Sequence, residues 1–326
     1  MKFDKILIAG PGSDYGNRLW DDVRNLDRVK FFNSFLNTDN SVLRKLHHAH
    51  FSFMLNRKAN IPFQSIWNTK MSINKSLFDS KKKYLVIFTD VSAARYSQTL
   101  LQSISKMSNV KCVLIFFNTM QKMGSLLKNK ISLFDLVYTF DKDDAKIYNF
   151  LSFEGMYSRP LYYQSEVEDI KYDLFYIGKA SKRLETLIKI AKLFLNNHVK
   201  AKFIINGVSS KEIVKLSNAT YNKWLSYDDV VKSVLQSKAI LEVLDPNQTG
   251  VTLRTMEAIV LNKILITNNK NIKNNKYYSP KRIIIFNEAK DINFDWLNDD
   301  NKIEYNYGND YSPINLIQRI EVFFNE

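Results

Sequence analysis

The 326-residue sequence predicts an α/β protein built as two parallel-sheet domains in tandem. Three observations predict it. Short, continuous apolar runs alternate with segments of helical spacing, which is the pattern of buried parallel strands with crossover helices. The alternation breaks once, near 153–172, and then restarts. The length also exceeds what a single hydrophobic core usually serves.

KILIAG (5–10) reads as a first strand ending in the glycine loop GPGSDYG, and LRKLHHAHFSFML has helical spacing. KYLVIFTD (83–90), KCVLIFF (111–117) and LFDLVYTF (133–140) are further strands, with the helical SQTLLQSISKM after the first of them. DKDDAKIYNFL opens on acidic residues suited to a helix N-terminus. FEGMYSRPLYYQSEVEDIKY, which loses periodicity and carries Gly155 and Pro160, reads as a linker. Beyond it come strand YDLFYIG (172–178), helix KRLETLIKIAKLFL, strand KAKFIING (200–207), a short KWLS segment and helix YDDVVKSVLQS. Strand AILEVLD (239–245), helix LRTMEAIVLN, and strands KILITNN (263–269) and RIIIFN (282–287) follow. The expected domains are therefore 1–160 and 161–326. A final helix over about 312–326 has i, i+3, i+4 apolar spacing and is free to cross back to the first domain.

Composition narrows the function. No apolar run approaches the roughly 18 residues that would cross a bilayer, and the N-terminal apolar run is too short for a signal peptide. A single cysteine, Cys112, rules out an internal disulfide, so a cytoplasmic location is expected, at most at the inner face of the plasma membrane. The net charge of +14 is spread: residues 1–170 carry 24 Lys/Arg against 16 Asp/Glu, and residues 171–326 carry 23 against 17. That balance suits an anionic membrane surface, a phosphorylated ligand or nucleic acid. The chain carries no zinc-finger, RNP or helix-turn-helix pattern, which argues against nucleic acid.

Open parallel sheets bind ligands beyond the carboxyl ends of their strands. After YDLFYIG, which ends at Gly178, this places Lys179, Lys182 and Arg183 in the loop and first turn of the next helix, where cations oppose the helix dipole and call for an anion. After AILEVLD it places PNQTGVTLRTME. Gly250 permits close backbone approach, Thr249 or Thr252 can cap the helix, and Arg254 and Glu257 share one face at i, i+3. The plainer alternatives are an exposed basic turn and a capped helix with a surface ion pair. His47, His48 and His50 at i, i+1, i+3 do not share a helix face, so no metal site is expected. Asp299 and Asp300 lie in a polar loop.

With FYIGKASKRLETL opening its second half and QTGVTLRTMEAIVLNKILITNN near its end, the chain resembles GT-B glycosyltransferases. These have two tandem Rossmann-like domains facing across a cleft. More narrowly it resembles bacterial enzymes of lipopolysaccharide, capsule or exopolysaccharide biosynthesis, and YTFDKDDAKIYNF, KWLSYDDVVKSVLQSKAILEV and NKNIKNNKYYSPKRIIIF are also similar to that group. The resemblance spans most of residues 80–290.

It implies transfer of a sugar from a nucleotide-diphosphate sugar, most commonly a UDP-sugar, to a surface-polysaccharide or lipid-linked glycan acceptor. No metal or other cofactor is implied. Glu257 takes the place of the glutamate that binds the donor ribose. Gly178, Lys179 and Arg183 meet the diphosphate with help from Arg254, and Tyr227 lies near the base or packs in the core. Thr249 stands where many retaining members carry a second glutamate, which leaves both stereochemical outcomes open. Asp14 and Asp90 are the positional candidates for an acceptor base, with one of the histidines as a further option. Arg95 would pair with Asp90 or with an acceptor phosphate. The implied partners are the nucleotide-sugar, the glycan acceptor and, peripherally, an anionic membrane, with no nucleic acid. The rival readings are a nucleotide-sugar epimerase and a non-catalytic partner subunit.

Overall fold

The computed structural model describes residues 2–10, 14–33, 36–59, 61–160, 169–245, 250–298 and 304–326, with the side chains at 14, 15 and 33 outside the description. The chain forms two compact units, Met1–Glu154 with Pro313–Glu326, and Gly155–Ser312.

The first unit runs β1 (Lys5–Gly10), α1 (Asp14–Arg18), β2 (Val29–Asn33), α2 (Ser41–His50), α3 (Phe53–Lys58), β3 (Tyr84–Thr89), α4 (Asp90–Ala93), α5 (Gln98–Ser105), β4 (Val110–Phe116), α6 (Met120–Leu127), β5 (Leu136–Thr139), α7 (Lys142–Tyr148) and β6 (Leu151–Ser152). Its six strands are all parallel, in the order β2-β1-β3-β4-β5-β6. Every residue of β3 is buried, which accounts for the unbroken apolar run YLVIFT. The acidic start of α7 has a local reason: Asp141 accepts hydrogen bonds from the amides of Asp143 and Asp144, capping the helix.

The second unit runs β7 (Tyr172–Lys179), α8 (Leu184–Asn196), β8 (Ala201–Asn206), β9 (Ala219–Tyr221), α9 (Tyr227–Leu235), β10 (Ser237–Glu242), α10 (Leu253–Val260), β11 (Ile264–Thr267) and β12 (Ile283–Ile285). It is again all parallel, in the order β12-β11-β10-β7-β8-β9. In each sheet the chain reverses its direction of growth once, between β1 and β3 in the first and between β7 and β10 in the second. Ligands of doubly wound sheets bind beyond the strand ends at such switch points. Both sheets are thus Rossmann-like, as the sequence predicts.

The last helix, α11 (Pro313–Phe323), belongs to the first unit. Arg28, one residue before β2, forms an ion pair with Glu321, with Nη2 3.0 Å from Oε2. Phe3 meets Phe324 edge-on at 5.8 Å. These contacts carry the chain back, so the units divide at 154/155 and 312/313 instead of at 160/161 alone. The sequence reading did not pick out β2, β6, β9 and α6. Three of these are edge or near-edge strands of five residues or fewer, too short for an alternation to stand out.

Candidate functional site

The carboxyl end of β7 is built around a missing side chain. A Cβ on Gly178 would lie 2.7 Å from the hydroxyl of Tyr176, two residues earlier on the same strand face. Lys179 ends the strand, Ser181–Arg183 make one tight turn, and Lys179 and Lys182 are exposed there. Arg183 is used differently from a free anion ligand. Its Nη1 donates to the Val243 carbonyl at 2.7 Å, its Nη2 donates to the Lys179 carbonyl at 2.6 Å, and Nε lies 3.5 Å from Asp245. It therefore ties the ends of β7 and β10 across the switch point.

Beyond β10 the structure brings Arg254, Glu257 and Tyr227 together. Glu257 is fully buried, at 0% exposure. One of its oxygens accepts from the Tyr227 hydroxyl at 2.8 Å, and the other pairs with Nη1 of Arg254. Nη2 of Arg254 donates to the carbonyl of Ile177 in β7 at 3.2 Å. Burial pushes the Tyr227 hydroxyl well above its ordinary range, and the charge of Glu257 and the neighbouring Tyr157 add to this. Burial alone would lower the Arg254 pKa, but the Glu257 carboxylate beside it raises the net value. The i, i+3 pair predicted from spacing is thus an interior pair, and Tyr227 is part of it through its hydroxyl.

Glu242, at the end of β10, was missed by sequence reasoning. It is buried, and three threonine hydroxyls donate to it: Thr255 at 2.8 Å, Thr267 at 2.5 Å, and Thr252. Thr252 in turn accepts from the amides of Arg254 and Thr255, capping α10. One hydroxyl therefore links the buried carboxylate to the helix N-terminus. The available signal was the lone charge inside the apolar run AILEVL. Asn269 Nδ2 holds the Gly250 carbonyl at 3.2 Å, and a Cβ on Gly250 would meet nothing within 4 Å. Among the described residues no neighbour requires a glycine there. Thr249 lies outside the described residues.

In the first unit, the backbone of Asp14 opens α1, and its side chain lies outside the description. Asp90 follows β3 at the switch point, and it is closed to solvent. Asn118 Nδ2 donates to it at 2.9 Å and the amide of Val91 at 2.8 Å, while burial raises its pKa. It joins the ends of β3 and β4, and a base there would first have to be uncovered. Arg95 packs over the ring of Phe53. The three histidines diverge. His47 points inward against Phe51 and Trp67, and burial holds its pKa down to about 4. His50 accepts from Trp67 Nε1 at Nδ1 (3.0 Å), so its Nε2 carries the proton that it donates to the Pro62 carbonyl at 2.7 Å. Among the described residues no group of three or more His, Cys, Asp or Glu side chains is placed to hold a metal ion.

No protein-family model matches the sequence, and no curated protein matches it. Solved structures match the fold. An α-glucosyltransferase in complex with UDP and a 13-mer DNA containing an HMU base aligns at 12% identity over 83% of this chain and 81% of that one, with a TM-score of 0.50. The OtsA apo structure aligns at 9% identity over 86% and 88%, also at 0.50. TarM aligns at 13% identity and a TM-score of 0.43, and the match covers 67% of this chain and only 48% of TarM. Two all-parallel Rossmann-like units in this order make the fold GT-B.

Proposed function

We propose that the protein is a glycosyltransferase that takes a nucleotide-diphosphate sugar, a UDP-sugar in the first instance, at the β7–β10 switch point. It passes the sugar to a surface-polysaccharide or lipid-linked glycan without a metal ion. The observation that carries this reading is the buried Arg254–Glu257–Tyr227 group at that switch point. A buried ion pair seldom adds net stability over well-packed apolar residues, because desolvation cancels the attraction. Its placement where doubly wound sheets bind nucleotides supports a role in holding the donor. A ribose hydroxyl would take the place on Glu257 that the Tyr227 hydroxyl fills.

In the transfer, the bond from the anomeric carbon to the β-phosphate oxygen breaks and a bond to the acceptor oxygen forms. The acceptor proton passes to a base, for which we propose Asp14. Lys179, Lys182 and the capped start of α10 stabilise the charge that develops on the departing diphosphate. The open space that the described residues leave beside Gly250 fits a backbone approached closely by phosphate.

The test is thermal stability in the presence of UDP, GDP, CMP or dTDP, with and without magnesium. One nucleotide at 100 times its dissociation constant should stabilise the protein by about 2.7 kcal/mol, and without metal. Lys179→Ala/Lys182→Ala, which changes only exposed side chains, should weaken that binding about tenfold at unchanged ligand-free stability. Glu257→Gln should weaken it too. If no nucleotide shifts the folded protein, the transferase reading fails and the non-catalytic subunit reading replaces it. Turnover of a UDP-sugar without acceptor would instead indicate the epimerase.

A further inference from the structure

From Asn40 to Phe78 the first unit contains no Asp or Glu, while Arg44, Lys45, Arg57, Lys58, Lys70 and Lys75 are all present. The same stretch leaves large apolar side chains in water: Val42, Leu46, Met54, Leu55, Phe63 and Ile66 are all exposed, with Phe63 at 77% and Met54 at 68%. Isolated exposed apolar residues are ordinary, but six within 25 positions on an all-basic background are not.

Phe63 adds a backbone observation. Its φ of 60° puts a bulky residue in the left-handed region, which favours glycine. Hydrogen bonds on both sides hold it there. His50 donates to the preceding Pro62 carbonyl, and the Asn56 side chain accepts from Ile61 N at 3.2 Å and from Gln64 Nε2 at 2.9 Å. Asn56 itself donates to the His50 and Ser52 carbonyls, so the end of α2, α3 and the Pro62–Lys70 segment are tied together. Strain that presents an aromatic ring to water has no packing purpose and points to a surface function. On the outer face of α2, Arg44, Lys45, His48, Ala49 and Ser52 line an open groove of about 640 Å³.

We propose that this face, formed by α2, α3 and the Pro62–Lys70 segment, docks on an anionic phospholipid surface. Phe63, Ile66 and Met54 enter the interfacial layer, and Arg44, Lys45 and Arg57 meet the lipid phosphates. Charge complementarity selects the partner: a basic stretch without Asp or Glu, bordered by Asp39 and Asp79, matches a negative leaflet, and each Lys or Arg near it favours binding about fivefold (about 1 kcal/mol). The aliphatic members select lipid over nucleic acid, because Val42, Leu46 and Ile66 have nothing to contact on a phosphate backbone, whereas interfacial binding scales with buried apolar area. The proposal rests on the transferase reading only in making the membrane the carrier of the glycan acceptor.

The experiment is co-sedimentation of the full chain with vesicles of equimolar phosphatidylcholine and phosphatidylglycerol, with phosphatidylcholine vesicles and duplex DNA as parallel arms. The expected result is binding to the anionic vesicles that weakens with salt and is absent on phosphatidylcholine. Phe63→Ser/Ile66→Ser and Arg44→Glu/Lys45→Glu should each reduce partitioning about tenfold or more, with a cooperative ligand-free thermal transition retained. That transition shows that each variant is folded. No binding by the wild type, binding that both variants keep, or binding of DNA in place of vesicles overturns the proposal. A chain that binds anionic vesicles but no nucleotide would keep the docking face and lose the transferase reading.

Discussion

At the scale of single residues, Gly178 and Tyr176 show how one position serves a purpose that sequence motifs hide. The sequence ends a strand at Gly178, and the resemblance has this glycine meet a diphosphate. The structure carries β7 one residue further, to Lys179, and adds a second purpose: the missing side chain of Gly178 makes room for the Tyr176 hydroxyl. That hydroxyl is buried and has no hydrogen-bond partner among the described residues, and burial raises its pKa. An unsatisfied buried hydroxyl costs roughly 1–3 kcal/mol. Tyr176→Phe should therefore raise ligand-free stability by about 1 kcal/mol. Gly178→Ala should lower it by about 1–3 kcal/mol through overpacking, and the double variant should recover most of that loss. Denaturant midpoints for the four proteins test this cycle; strictly additive effects would show that the two positions do not interact.

At the scale of elements, the strands and helices with long apolar runs or strong caps were legible, because their local sequence and their tertiary burial agree. YLVIFT, LETLIKIAKLFL and the Asp141 cap of α7 are examples. The candidate site was legible as a set of residues but not as an arrangement. Spacing put Arg254 and Glu257 on one face of α10, yet it could not show that this face turns inward to meet Tyr227. Nor could it reveal Glu242, whose three partners come from α10 and β11. That network makes the start of α10 depend on one hydroxyl. Thr252→Val keeps the side-chain shape but removes both the cap and a donor to a buried carboxylate. It should cost about 1–3 kcal/mol and weaken nucleotide binding, whereas Thr252→Ser should retain most of both. Equal stability of the Val and Ser variants in chemical denaturation would contradict the network.

At the scale of the whole molecule, two tandem parallel sheets were legible from the alternation, without their short edge strands, and the return of the last helix to the first unit, which the sequence left open, is what the structure shows. Arg28 and Glu321 lie far apart in sequence, and no local pattern announces their ion pair. The first unit also carries an acid-sensitive group, His47, and the sign of its effect follows from its surroundings. Burial first, then the charges of Arg95, His48 and His50, lower its pKa from 6.5 to about 4. Between those values the unfolded chain binds a proton that the folded one does not, so stability is present above pH 6.5 and falls as the pH drops toward 4. Glu321 acts in the same direction at lower pH, since Arg28 outweighs the burial that would raise its pKa and holds the net value down. Asp90, whose pKa burial raises, acts in the opposite direction. His47→Met should leave the first unit less sensitive to acid, so its stability relative to wild type should rise between pH 7 and pH 4.5. The tryptophans assign the transition: Trp20 and Trp67 report the first unit, Trp224 and Trp296 the second. Denaturant melts of single-tryptophan variants at the two pH values would show whether the acid loss sits in the first unit. An acid loss that His47→Met leaves intact would move the cause away from this histidine.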